Sequence, residues 1–131
     1  MKTAIQLSLA GMLGVLAGAS AMQVLHAETA SLPGYVLMNI ETVNDQATYD
    51  KYRSAAGKSR GPFGGHPLVA HAKPVALDSS PLPKGEILIF QFPSLKAALG
   101  WWNSPAVVAA QPLREKSIVS TAYALEGTTA P

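Results

Sequence analysis

The sequence predicts an α+β fold of the ferredoxin-like βαββαβ plan, a four-stranded antiparallel sheet with its helices on one face. Three observations predict it. Strand-like and helix-like runs follow one another as strand, helix, strand, strand, helix, strand. Gly61-Pro62, Gly64-Gly65 and the Asp78–Gly85 segment break the chain at the junctions this order requires. The strands also carry more apolar side chains than two helices on one face can cover.

The first 27 residues stand apart from this plan. Lys2 is the only charged residue before His26, and Ala, Leu, Gly, Val and Met dominate the stretch from Ala4 to Leu25. A basic start, an apolar middle and small residues near the end make the layout of a secretory signal peptide. Cleavage is expected after Ala27 or after Ala21, where Ala19-Ser20-Ala21 offers smaller side chains. A retained anchor would need roughly 20 apolar residues, and Gln6, Ser8, Ser20 and Gln23 interrupt the run. No cysteine follows it for lipidation and no Arg-Arg pair precedes it. The mature protein is therefore expected in the periplasm or secreted, with no membrane attachment after cleavage.

Cleavage after Ala27 removes Lys2 and leaves 104 residues with nine basic and eight acidic side chains. So even a balance gives no pull on nucleic acid or anionic lipid. The chain has no cysteine, which rules out disulfides and thiolate metal sites. A domain of this size buries only about 60–70% of its unfolded surface, so a partner subunit would supply burial that it lacks.

Residues 28–33 read as a linker and 34–127 as the domain. Between Tyr35 and Glu41, Val36, Met38 and Ile40 share one apolar face, while Tyr35, Leu37, Asn39 and Glu41 share the other. Asn44 is the expected cap of the first helix, with Asp45 in its first turn. Tyr49, Tyr52 and Ala56 form its buried stripe, and Gly61-Pro62 ends it. His66–Val75 reads as a strand that Pro67 and Pro74 confine to an edge. Glu86–Phe92 is apolar on both faces and is expected to be central and covered on both sides. Ser94 caps the second helix, whose stripe is Leu95, Ala98, Leu99 and Trp102. A further helical turn over 106–111 is expected to stop before Pro112. Ser117–Glu126 forms the last strand, and 128–131 a disordered tail. Pairing two such sheets face to face, as a homodimeric α+β barrel, would cover the apolar groups that the helices leave open.

Several of these residues carry a family resemblance. Tyr49 and Tyr52, Gly64-Gly65, Phe92-Pro93-Ser94-Leu95, Ala97-Ala98, Trp101-Trp102-Asn103-Ser104-Pro105, Pro112-Leu113-Arg114 and Leu125-Glu126-Gly127 resemble domain-of-unknown-function family 1330 over Gly34–Gly127. The leader end Gln23-Val24-Leu25-His26-Ala27 is similar to that of exported bacterial members, which favours the cut after Ala27. The resemblance implies a dimeric α+β barrel related to cofactor-free monooxygenases, lactone isomerases and haem enzymes, and implies no reaction of its own. The chain departs from the family where Ala106 and Val107 follow Ser-Pro in place of an acidic residue and an aromatic. It departs again where His66-Pro67 follows the paired glycines in place of arginine.

The residues that carry chemistry are few. His66 and His71 are the two histidines of the mature chain, each a candidate general base. Five residues apart on a regular strand they face opposite ways, a poor arrangement for shared metal binding, and the plainer role is a surface or interface histidine. Asn39 and Glu41 are polar groups on the expected barrel side, with Arg53, Arg114 or a histidine as partners for the carboxylate. Trp102 joins the core stripe, so Trp101 is expected to look outward and close a ligand pocket or a dimer interface. Arg114 suits a substrate carboxylate or the carbonyls of a helix end. The reading is an exported barrel that binds a small organic molecule between helices and sheet. In catalytic form it is a cofactor-independent isomerase or monooxygenase, with His66 or His71 as base and Asn39, Glu41, Trp101 and Arg114 at the substrate. No cofactor and no metal is expected. The alternative is a non-catalytic binding or assembly protein whose barrel is filled by its own side chains.

Overall fold

The alternation that begins at Gly34 produces a long first strand, and the rest of the sheet is built against it. The computed structural model describes residues 31–129; the expected signal peptide, the start of the linker and residues 130–131 lie outside the described residues. The elements are β1 (Gly34–Val43), α1 (Gln46–Ser59), β2 (His66–Ala72), β3 (Glu86–Phe92), α2 (Leu95–Trp102), α3 (Pro105–Ser117) and β4 (Ile118–Glu126), with a 3-10 turn at Gly61–Phe63. The sheet order is β2-β3-β1-β4 and every neighbouring pair is antiparallel. This is the expected plan, with a third helix in place of the single turn.

The helices cover one face. Val36, Met38 and Ile40 of β1 and Leu88, Phe90 and Phe92 of β3 are buried against Tyr49, Tyr52 and Ala56 of α1 and against Trp101, Val107 and Ala110. Burying a side chain such as Phe92 contributes about 1.5–3 kcal/mol. The opposite face is only partly covered. Ile87 and Ile89 are half-buried, so β3 is central but not enclosed on both sides.

Four local expectations are corrected. The cap of α1 is Asp45, one residue later than expected: its carboxylate accepts from the Thr48 N–H at 3.1 Å and the Thr48 hydroxyl at 2.6 Å. Asn44 instead donates its backbone N–H to the Ser117 carbonyl at 2.7 Å. β2 stops at Ala72, before Pro74. α3 runs through Pro112 to Ser117. Proline removes a bond to the carbonyl four residues back, here Val108, and both Pro112 and Val108 are exposed, so water can take that carbonyl.

The fourth correction concerns the tryptophans. Trp101 is 1% exposed while Trp102 is half-buried and Leu99 is 45% exposed, so the buried stripe of α2 is Ala98 and Trp101. The Trp101 indole N–H sets that rotation by donating to Ser59 Oγ at 2.9 Å. Its ring stacks on Phe92 at 5.4 Å and meets Phe90 edge-on at 5.9 Å. A satisfied indole inside an aromatic cluster outweighs a stripe that differs by one position on an eight-residue helix. Gly85, at φ 77, returns the chain to β3; a Cβ there would strike the Ile40 carbonyl.

Candidate functional site

β2 slips twice against β3. His66 opposes Gln91 and Pro67 opposes Phe90, but then Val69 opposes Ile89 and Ala72 opposes Ile87. Each slip places an extra residue on β2, which bends an edge strand and re-aims its side chains. The second slip holds His71 at φ 52, the one non-glycine residue with left-handed backbone among the described residues. A non-glycine residue there costs on the order of 1–3 kcal/mol and persists only where its surroundings fix it.

Glu86, the first residue of β3, does the fixing. Its Oε2 lies 2.8 Å from His71 Nδ1. An ionised carboxylate only accepts, so Nδ1 carries the proton and Nε2 remains the acceptor of the neutral ring. Both side chains keep partial contact with solvent. The Tyr49 ring meets the imidazole edge-on at 6.4 Å.

The bend borders a cleft of about 420 Å³ between α1, β2 and the sheet, within the range that small-molecule sites occupy. Met38, Leu88, Phe90 and Trp101 line it from the core, Tyr49, Tyr52 and Arg53 from α1, and Pro67, Ala70 and His71 from β2, with Arg60 beyond the helix end. A second cleft of about 430 Å³ shares Tyr49, Arg53 and His71 with the first and adds Glu41, Lys73 and Glu86.

Electrostatics distinguish the groups in the first cleft. Burial pushes the Tyr49 phenol up to about 12 and raises Tyr52 as well. Arg53 lies 3.7 Å from Asp50 and its guanidinium carbon 5.6 Å over Tyr49. Arg60 lies 4.1 Å over the Phe90 ring, and burial pulls it below the ordinary arginine value.

The structure brings some of the expected residues together and separates others. His71 and Trp101 line the first cleft, Trp101 from the buried side, and Glu41 lines the second. His66 is exposed at the start of β2, in register with Gln91 on the face away from the helices. Asn39 is on that same outer face, between Ile87 and Thr121, with its Oδ1 buried and unbonded. Arg114 is committed to the α3–β4 corner. It donates to Gln111 Oε1 at 2.7 Å and Ser120 Oγ at 3.1 Å, and lies 5.3 Å over Trp102. Tyr49, Tyr52, Arg60 and Glu86 escaped the sequence reading as site residues, and Arg53 entered it only as a partner for the Glu41 carboxylate. Arg53 follows Tyr49 by one helical turn, a signal that was available; the Glu86–His71 pair depends on hairpin register and carried none. Among the described residues no group of three side chains is placed to hold a metal ion.

The family model described as "Domain of unknown function (DUF1330)" matches residues 33–128. No curated protein shows significant similarity to the chain. Two solved structures of the RPA0582 protein, of unknown function and from Rhodopseudomonas palustris, share the fold. One aligns with TM-score 0.58 and 16% identity over 85% of this chain and 94% of that one. The other, of the methylated protein, aligns with TM-score 0.56 and 15% identity over 84% and 91%. A cofactor-independent oxygenase from Streptomyces nogalater aligns more loosely, with TM-score 0.44 and 8% identity over 76% of this chain and 94% of that one, too distant to carry an argument about chemistry.

Proposed function

The chain belongs to the DUF1330 family, and from that premise we propose that it is an exported, homodimeric α+β barrel protein that binds a small organic molecule in the cleft beside His71. The observation that carries the reading is the His71–Glu86 pair. A histidine in left-handed backbone, oriented by a carboxylate at 2.8 Å, borders an aromatic cleft of about 420 Å³. Strained residues held by their surroundings concentrate at functional positions, and an imidazole oriented through Nδ1 by a carboxylate can serve as a base through Nε2. In catalytic form, His71 Nε2 takes a proton from an acidified C–H of the ligand and returns it at another carbon, an isomerisation that needs no cofactor. With dioxygen as co-substrate the same carbanion adds O2 and a proton to give a hydroperoxide, which loses water to leave a carbonyl. The substrate carbon is thereby oxidised and supplies the electrons of a monooxygenase reaction.

The test is a thermal-shift screen of small apolar acids, ketones and phenols. A stabilising ligand is expected, and Ala70→Trp, which fills the cleft from an exposed position of β2, is expected to abolish its effect while the fold is retained. A ligand indifferent to Ala70→Trp would remove the cleft from consideration. For the catalytic form, uptake of deuterium from D2O into the bound ligand should disappear in His71→Ala. Export rests on the leader composition of residues 1–27; intact mass of protein recovered from the periplasmic fraction should begin at Glu28, and retention of Met1 would overturn it.

A further inference from the structure

We infer that the cleft is selective for a compact organic anion, an aromatic carboxylate in which Arg60 holds the charged group and the Phe90–Trp101 side holds the ring; this rests on the small-molecule reading above. Arg60 follows α1 and lies 4.1 Å over the face of Phe90. Among the described residues it has no carboxylate within 4.0 Å and makes no side-chain hydrogen bond, whereas Arg53, on the same cleft, has Asp50 at 3.7 Å. Asp50 is the sole carboxylate among the described residues that line this cleft. Arg60 is half-buried, so its guanidinium loses part of its hydration with no counter-ion in return, an arrangement that a bound anion relieves. A ring face satisfies one side of a guanidinium and offers no acceptor for its N–H donors. Those donors match a carboxylate in bidentate fashion. The remaining lining is aromatic and aliphatic, from Tyr52, Trp101, Leu88 and Met38, which suits a flat apolar body and disfavours a highly hydrated polyanion.

The same anion would reach His71 from the other wall, since Arg60 and His71 line one cleft. A carboxylate fixed at Arg60 would thus present the rest of the molecule to the proton-accepting ring.

The experiment uses calorimetric titration of the purified protein with benzoate and 2-naphthoate, and with benzamide and 2-naphthamide as uncharged molecules of the same shape. The acids are expected to bind about 10- to 100-fold more tightly than their amides, the worth of one charge-assisted hydrogen-bonded pair. Arg60→Met should remove that preference by weakening the acids far more than the amides, and Arg60→Lys should restore part of it. Equal affinity for acid and amide, or an equal loss of both in Arg60→Met, would overturn the anion assignment while leaving the cleft as a binding site. Binding of the acids that survives Ala70→Trp would place them elsewhere and overturn it too. If Arg60→Met fails to fold, the acid-to-amide ratio on the unaltered protein still decides. Failure of both acids and amides to bind overturns the aromatic carboxylate, and the broader screen then decides separately whether the cleft binds anything.

Discussion

Tyr49 is the residue at which α1, the bulge of β2 and both clefts meet. It is 3% exposed, stacks on Tyr52 at 6.3 Å and faces the His71 ring. Burial disfavours its phenolate and pushes its pKa from the ordinary 10 up to about 12. The consequence for stability has a definite sign. The unfolded chain loses this proton first, so the contribution of Tyr49 is complete below pH 10 and is lost as pH rises from there to about 12. A titration followed by phenolate absorbance should show a step near 12 that Tyr49→Phe removes. If no such step exists in the folded protein, the cleft is wetter at Tyr49 than its geometry implies. His71 lies next to this phenol, so a neutral Tyr49 leaves the imidazole with Glu86 as its charged hydrogen-bond partner.

At the scale of elements, most of the architecture was legible because two periods carry it. Val36, Met38 and Ile40 declare β1 by twos, and Tyr49, Tyr52 and Ala56 declare α1 by the helical repeat; all six are buried. Ser94 was equally legible as a cap, since its hydroxyl accepts the Ala97 N–H at 3.0 Å. The failures share a cause: each was settled outside the local pattern, by a tertiary partner or by solvent. Trp101 is turned inward by Ser59, 42 positions away, and α3 continues through Pro112 where both Pro112 and Val108 are exposed, so that water can take the Val108 carbonyl. The site was legible only in part for the same reason. His71 stood out as a residue type, but its partner Glu86 is supplied by the register of a hairpin slipped by two bulges. Local pattern does not encode a slip of that kind. Arg60 lies one residue past the end of α1, where a basic side chain reads as an ordinary helix terminus; its position over Phe90 belongs to the packed protein.

At the scale of the whole molecule, one sheet face carries no helix or strand among the described residues. Leu37 lies at its centre, in register with Ile89 on one side and Tyr123 on the other. Tyr123 and Leu125 are 52% and 49% exposed, and the neighbouring Asn39 Oδ1 is shielded yet has no donor. An apolar face with an unsatisfied acceptor at its middle is what a second sheet would complete. In a chain without disulfides, that burial is also the stabilisation within reach. We therefore expect the protein to be a dimer in solution and Leu37→Glu to be a monomer with a lower melting temperature. An unpaired carboxylate at the centre of the interface costs about 3–5 kcal/mol, enough to weaken association by a factor of 100 or more. Mass measured by light scattering decides it: a monomeric parent, or a variant that still dimerises, removes this face as the interface. The cleft lies on the helix side of the sheet, away from Leu37, so the monomeric variant should keep its affinity for whatever ligand the parent binds. Loss of dimer and ligand together would instead mean that the partner subunit completes the site.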